Sequence, residues 1–198
     1  MKNDKVTKVD GDAHKVKVTS PKGEARWASL KSPKSWNNED AGKYQISTVH
    51  SAEEAQGIID MCQGTIEKVC DFMGKRPKLS QYDPYKVLED GRVEIRWKKK
   101  FFAANDKYPA TPPIPTILPD GSRVDLDSTE WSVGNGSIVQ VGGYIVPYYT
   151  PMLGLGVSLR LMAVNVIQLE KYTGSNSEDD FDFVAGKVGA ESAEVIDF

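Results

Sequence analysis

Apolar and polar residues alternate with period two over much of the chain, with one break to a period of three to four. Val16 and Val18 alternate with Lys15 and Lys17, and Ser20-Pro21-Lys22-Gly23 reads as a turn. Glu24 to Leu30 reads as a strand containing Trp27. Lys43 to Val49 sets Tyr44, Ile46 and Thr48 against Gln45, Ser47 and Val49, a second strand. The polar stretch Pro33 to Gly42 between them is a loop that carries Trp36. The break comes at Ser51, which with Glu54 forms a capping box able to satisfy amides at a helix start. Ala55, Ile58, Ile59, Cys62, Ile66, Val69, Cys70 and Met73 then form one apolar stripe. Gly74 can adopt a left-handed cap and Pro77 blocks continuation, so one long helix ends there with both cysteines toward the core.

Beyond a polar connection over 75–90, Asp90-Gly91 opens a strand with Val93, Ile95 and Trp97 on one face. Glu94, Arg96, Lys98 and Lys100 fall on the other. Residues 103–119 hold five prolines and read as a loop or edge segment, because proline cannot donate to a sheet ladder. Asp120-Gly121 is a hairpin signal. Ser137 to Tyr149 and Leu155 to Tyr172 are the most β-rich stretches, and no internal repeat is present. Several strands with one inserted helix favour a mainly β fold, a small barrel, over a parallel α/β sheet.

Composition adds a tail to this picture. The chain has 198 residues with 25 basic and 28 acidic side chains, a net charge of −3. Residues 171–198 hold two lysines and seven acids, a net −5, which leaves 1–170 at +2. We therefore expect a flexible N-terminus over 1–15, one domain over 16–172 and an acidic, disordered tail over 173–198. No apolar run approaches the ~20 residues of a membrane span, and the Lys-rich start lacks the apolar segment of a secretory signal. A soluble protein of a reducing cytoplasm is expected. Cys62 and Cys70 are not in CxxC spacing, and His14 and His50 are far apart, so neither a metal site nor a cofactor is expected. GxSxG, HExxH and GxxxxGK[ST] are all absent. Gly154-Leu155-Gly156 has Leu159 where a dinucleotide site needs glycine and precedes a strand, so it reads as a turn, and no enzyme is expected.

Single-stranded nucleic acid suits the chain better. Arg92, Arg96, Lys98, Lys99 and Lys100 are interleaved with Trp97, Phe101 and Phe102, which joins cations for phosphates to aromatic faces for bases. Trp97 shares a face with Val93 and Ile95 and belongs to the core; Arg96, Lys98 and Lys100 are left for binding. Tyr148 and Tyr149 point to opposite faces of one strand, and alternation does not say which is buried. Trp36, without core neighbours in sequence, is a ligand platform or part of an interface. In the tail, Asp179, Asp180 and Phe181, and later Asp197 and the terminal Phe198, alternate acid with aromatic. Such a segment suits docking onto a basic, apolar pocket of a partner protein.

With these residues in view, the chain resembles the phage-encoded single-stranded DNA-binding proteins of the OB fold. The likeness lies in Gly134-Asn135-Gly136-Ser137, Val139-Gln140-Val141, Val146-Pro147-Tyr148, Gly156-Val157-Ser158-Leu159-Arg160-Leu161 and the Phe-terminated acidic end. Ser20-Pro21-Lys22-Gly23-Glu24-Ala25 and Lys43-Tyr44 support it. The resemblance implies a five-stranded OB barrel with one long inserted helix, often dimeric, acting in the cytoplasm of the infected bacterial host. It implies that Tyr148 and the Arg96/Lys98 strand face DNA in replication, recombination and repair. It also implies that Asp197-Phe198 contacts the phage DNA polymerase and helicase-primase. The rival expectation is a structural or assembly protein whose tail docks a partner.

Overall fold

The computed structural model describes residues 9–34, 41–105 and 107–173. In chain order the elements are β1 (Val16–Thr19), β2 (Gly23–Lys34), β3 (Ala41–His50), α1 (Ala52–Met73), β4 (Tyr85–Val87), β5 (Val93–Phe102), β6 (Thr116–Ile117) and β7 (Arg123–Val124). A 3-10 turn (Leu126–Ser128), β8 (Ser132–Val133), β9 (Ile138–Thr150), β10 (Gly154–Gln168) and β11 (Lys171–Tyr172) follow.

The pairings close on themselves. β9 pairs β2, β2 pairs β3, β3 pairs β5, β5 pairs β10, and β10 returns to β9. Within this ring only the β5–β10 contact is parallel, with Leu159 beside Trp97. A mainly β, OB-type ring with one long helix between β3 and the later strands is the architecture the sequence implies.

The interior follows the period-two pattern. Ile46, Ile95, Trp97, Val139, Ile145 and Leu159 are all buried, Trp97 to 1% exposure as its shared face with Val93 and Ile95 requires. Its indole does not strand a polar group. Trp97 Nε1 donates to Thr48 Oγ1 at 3.2 Å, and His50 Nε2 meets the same oxygen at 2.8 Å. His50 Nδ1 lies 3.2 Å from the Lys22 carbonyl, which only accepts, so the neutral ring carries its proton on Nδ1. The Thr48 hydroxyl then donates to Nε2, and every member of the chain is satisfied. A Cβ on Gly23 would fall 2.3 Å from this ring, so only glycine fits beneath it.

The helix begins as expected. The Ser51 hydroxyl accepts from the Glu54 amide, the Glu54 carboxylate accepts from the Ser51 amide, and Gly74 closes the helix at φ 62°. Its buried face is Ala55, Ile58, Cys62, Thr65, Val69, Cys70 and Met73. The first half joins the main core, while Val69, Cys70 and Met73 pack with Val9 and Leu155. Burial, with a smaller contribution from Asp83, pushes the Cys62 thiol up to about 12, so its reactive thiolate is suppressed.

Three stretches differ from the sequence pattern. Packing starts at Val9, ahead of the alternation at Val16, because Val9 fills the cluster under the helix end and Asp12 pairs with Arg160 at 2.6 Å. The connection over 75–90 supplies β4, which extends the sheet from β5. The proline-rich segment buries Ile114 and Thr116 and lays the two-residue β6 beside β10. It does so because Ile114 still has an amide to give to the Leu30 carbonyl, while Pro115 accepts from Val164.

Candidate nucleic-acid interface

On β5 the buried Ile95 and Trp97 alternate with exposed Arg96, Lys98 and Lys100. β3 runs antiparallel beside it, with Ser47 opposite Arg96, Gln45 opposite Lys98 and Lys43 opposite Lys100. Directly opposite residues share a face, so Lys43 joins the three expected cations. Like charges placed directly opposite destabilise a sheet. The strain shows at Lys98, whose ammonium is depressed first by burial and then by Lys43, Arg96 and Lys100.

Three other arginines are neutralised. Arg26 pairs with Glu24 at 3.0 Å, Arg92 with Asp90 at 2.7 Å and Glu24 at 3.1 Å, and Arg160 with Asp12 at 2.6 Å. Lys43, Lys98 and Lys100 make no ion pair among the described residues, and the Arg96 guanidinium donates to the Asp83 carbonyl at 3.4 Å. The five-residue cationic run of the sequence is thereby sorted. Arg92 belongs to an ion-pair cluster, and Lys99, held down by burial, lies on the inward side of the alternation. A strip of four cations, with Glu94 at one end of the same face, is arranged for a polyanion.

The tyrosines also separate. Tyr149 packs on the cluster of Val9, Val69 and Leu155 under the helix. Tyr148 lies on the opposite face, half-buried, directly across from Gly156. A Cβ on Gly156 would come within 2.6 Å of the Tyr148 hydroxyl, so the ring lies against bare backbone. That hydroxyl meets Ser80 Oγ at 2.9 Å, and this ties the segment after the helix to β9. Next to it, Lys78, Gln81, Tyr82, Met152 and Leu153 line a groove at the β9–β10 hairpin tip. Trp36 and the tail residues Asp179, Asp180, Phe181, Asp197 and Phe198 lie outside the described residues.

One aromatic residue escapes the sequence reading. Trp27 has φ 53°, the only positive value at a non-glycine among the described residues, and is 66% exposed. The register between β2 and β3 slips here, between Arg26 and Ser29. The left-handed conformation disfavours a side chain by about 1–3 kcal/mol. The signal for it was present: Ala25 and Leu30 are both in the core, yet five positions apart, which strict alternation forbids.

Among the described residues no group of three or more His, Cys, Asp and Glu could hold a metal, and no helix is long and apolar enough to cross a membrane. No family model and no curated protein matches the sequence. Solved structures do. The single-stranded DNA-binding protein gp2.5 of bacteriophage T7 is similar over 90% of this chain and 100% of its own, with a TM-score of 0.65 and 20% identity. The chain has the fold of phage single-stranded DNA-binding proteins. The corresponding protein of bacteriophage Enc34, in a structure containing single-stranded DNA, matches over 86% of this chain and 94% of its own, with a TM-score of 0.56 and 14% identity. A C-terminally truncated form of the Enc34 protein matches over the same extents with a TM-score of 0.55.

Proposed function

We propose that this protein binds single-stranded DNA without sequence preference during phage DNA replication, recombination and repair, in the cytoplasm of the infected host. The observation that carries the reading is the strip of Lys43, Arg96, Lys98 and Lys100, unpaired on a fold shared with single-stranded DNA-binding proteins. Phosphate neutralisation supplies most of the affinity, and bases stack on exposed aromatic faces. Tyr148 and Trp36 are the platforms assigned from the sequence. No catalytic step is part of this role; the protein coats the strand, removes hairpins and shields it from nucleases.

The acidic tail recruits the phage polymerase and helicase-primase through Asp179, Asp180, Phe181, Asp197 and Phe198. It also competes with DNA. The described chain ends at Thr173, just past β11, whose partner β8 packs beside β2. From there the cation strip is about three strand spacings away, roughly 15 Å. A random coil of 25 residues, the number that follow Thr173, would span about 25–30 Å, enough to reach it.

A titration with labelled oligo-dT and duplex DNA tests the reading. Tight, salt-sensitive binding to oligo-dT and weak binding to duplex is the expected result. Binding to neither would leave the structural or assembly role in its place.

A further inference from the structure

The β3–β5 register runs without a slip from Val93 opposite His50 to Phe102 opposite Ala41. Alternation therefore holds to the end of β5. Trp97, Lys99 and Phe101 fall on its inner face; Lys98, Lys100 and Phe102 fall on its outer face. Burial agrees for the last two residues. Phe101 packs against the main core and meets the buried Tyr44 ring edge-on at 6.0 Å. Phe102 is 60% exposed. The cation strip thus ends in a phenyl ring on its own face.

Thr111 holds that end of the strand in place. Its Oγ1 accepts the Phe102 amide at 3.1 Å, and its own amide donates to the Phe102 carbonyl at 3.0 Å. The Tyr44 hydroxyl donates to the Thr111 carbonyl at 3.2 Å, which ties this clasp to the core. The backbone that presents the ring is ordered before any ligand arrives, and such preorganisation favours binding. Positive charge gathers at the same end. Lys43 stands opposite Lys100, and Lys34 of β2 stands opposite Lys43, so a row of lysines crosses three strands beside Phe102. Glu94, the carboxylate on this face of β5, is about 26 Å away along the strand. A single exposed phenylalanine needs no explanation by itself. One aligned with lysines, and remote from the carboxylate of its own strand face, has the surroundings of a nucleotide site.

We propose that Phe102 is a base-stacking platform at the end of the cation strip, with phosphates held by Lys43 and Lys100 and the adjoining base lying on the phenyl face. The inference rests on the single-stranded DNA reading above and adds a contact to it. Phe102 follows Lys100 by about 7 Å along the strand, within the reach of a nucleotide from its phosphate to its base. A phenyl face takes any base, so the contact adds affinity without sequence preference.

The test compares Phe102→Ala, Phe102→Leu, Phe102→Tyr and Phe102→Trp in the full chain, with Lys98→Glu/Lys100→Glu as reference. Phe102→Ala should lower oligo-dT affinity roughly 5- to 150-fold and leave the salt slope unchanged, because the ring touches no phosphate. Phe102→Leu keeps the apolar bulk and should still bind more weakly than wild type, which isolates the aromatic face. Phe102→Tyr and Phe102→Trp should keep the affinity, and oligo-dT should quench the indole added in Phe102→Trp beyond the wild-type amplitude. Wild-type affinity in a folded Phe102→Ala or Phe102→Leu, with the lysine reference weakened, would overturn the platform alone. So would an added indole that oligo-dT does not quench. Wild-type affinity with altered self-association in sedimentation would make the ring a contact between copies and overturn it as well. Should Phe102→Ala unfold, Phe102→Leu decides; unfolding of both would make Phe102 a structural anchor and overturn the platform. If wild type itself ignores oligo-dT, the functional reading falls first.

Discussion

Replacing Lys98 and Lys100 by glutamine should make the protein more stable and a poorer DNA binder at once. Lys100 stands directly opposite Lys43, and Lys98 has cations on three sides. Each exposed like-charge pair of this kind disfavours the sheet by about 0.2–1 kcal/mol. Removing two charges should therefore raise the melting temperature by up to about 4 °C at low salt, for a domain of this size. The gain should shrink as salt screens the repulsion. On the binding side, each phosphate contact contributes about 0.7 to the slope of log K against log salt. With four contacts, wild type should lose roughly 50-fold in affinity between 50 and 200 mM salt, and the double variant only roughly 7-fold. Melting by circular dichroism and fluorescence anisotropy with oligo-dT at several salt concentrations give both readouts. A double variant with the wild-type slope would show that this strip touches no phosphate. A lowered melting temperature would show that the lysines have partners and were never in mutual repulsion.

Other perturbations address the remaining parts. Tyr148→Ala should weaken oligo-dT binding by ~1–3 kcal/mol, read by anisotropy, if the ring stacks on a base. Tyr148→Phe should keep the affinity but lower stability by ~0.5–1.5 kcal/mol in urea melts, because it deletes the bond to Ser80. The buried His50 is held below its ordinary value of 6.5 chiefly by desolvation, so it stays neutral in the fold and protonates more readily when unfolded. Its stabilising effect is complete above about pH 6.5 and is lost as pH falls below it; urea midpoints from pH 8 to 5 should show a decline that His50→Gln flattens. Deleting 174–198 should tighten oligo-dT binding, most at low salt. Deleting Phe198 alone should leave that affinity intact and abolish capture of the polymerase; weakened DNA binding with capture unchanged would refute the docking role of the tail.

The elements were legible where local chemistry acts alone. Ser51 with Glu54, Gly74, and the stripe from Ala55 to Met73 fix the helix within its own residues, and α1 runs where they put it. Val93, Ile95 and Trp97 likewise announce one buried face. Long-range pairing was harder to see. Nothing in residues 9–15 indicates that Asp12 will meet Arg160, 148 positions away, or that Val9 will fill a gap under the helix. The choice between Tyr148 and Tyr149 was open for the same reason. It depends on which side α1 covers, and only packing of Val69 and Leu155 against Tyr149 decides it.

The candidate site was legible in half for a reason of charge pairing. A body of net +2 gives composition no basic signature, and the cations of β5 look much like those elsewhere in the chain. What distinguishes them is their shared face on two paired strands, where Lys43 stands opposite Lys100. Glu24, Asp90 and Asp12 each lie beside an arginine, and Glu67 beside Arg76, so those charges cancel locally. Lys43 was missed because its relation to Lys100 exists only through the β3–β5 register. The β3–β5 register therefore points to this candidate face better than net charge does.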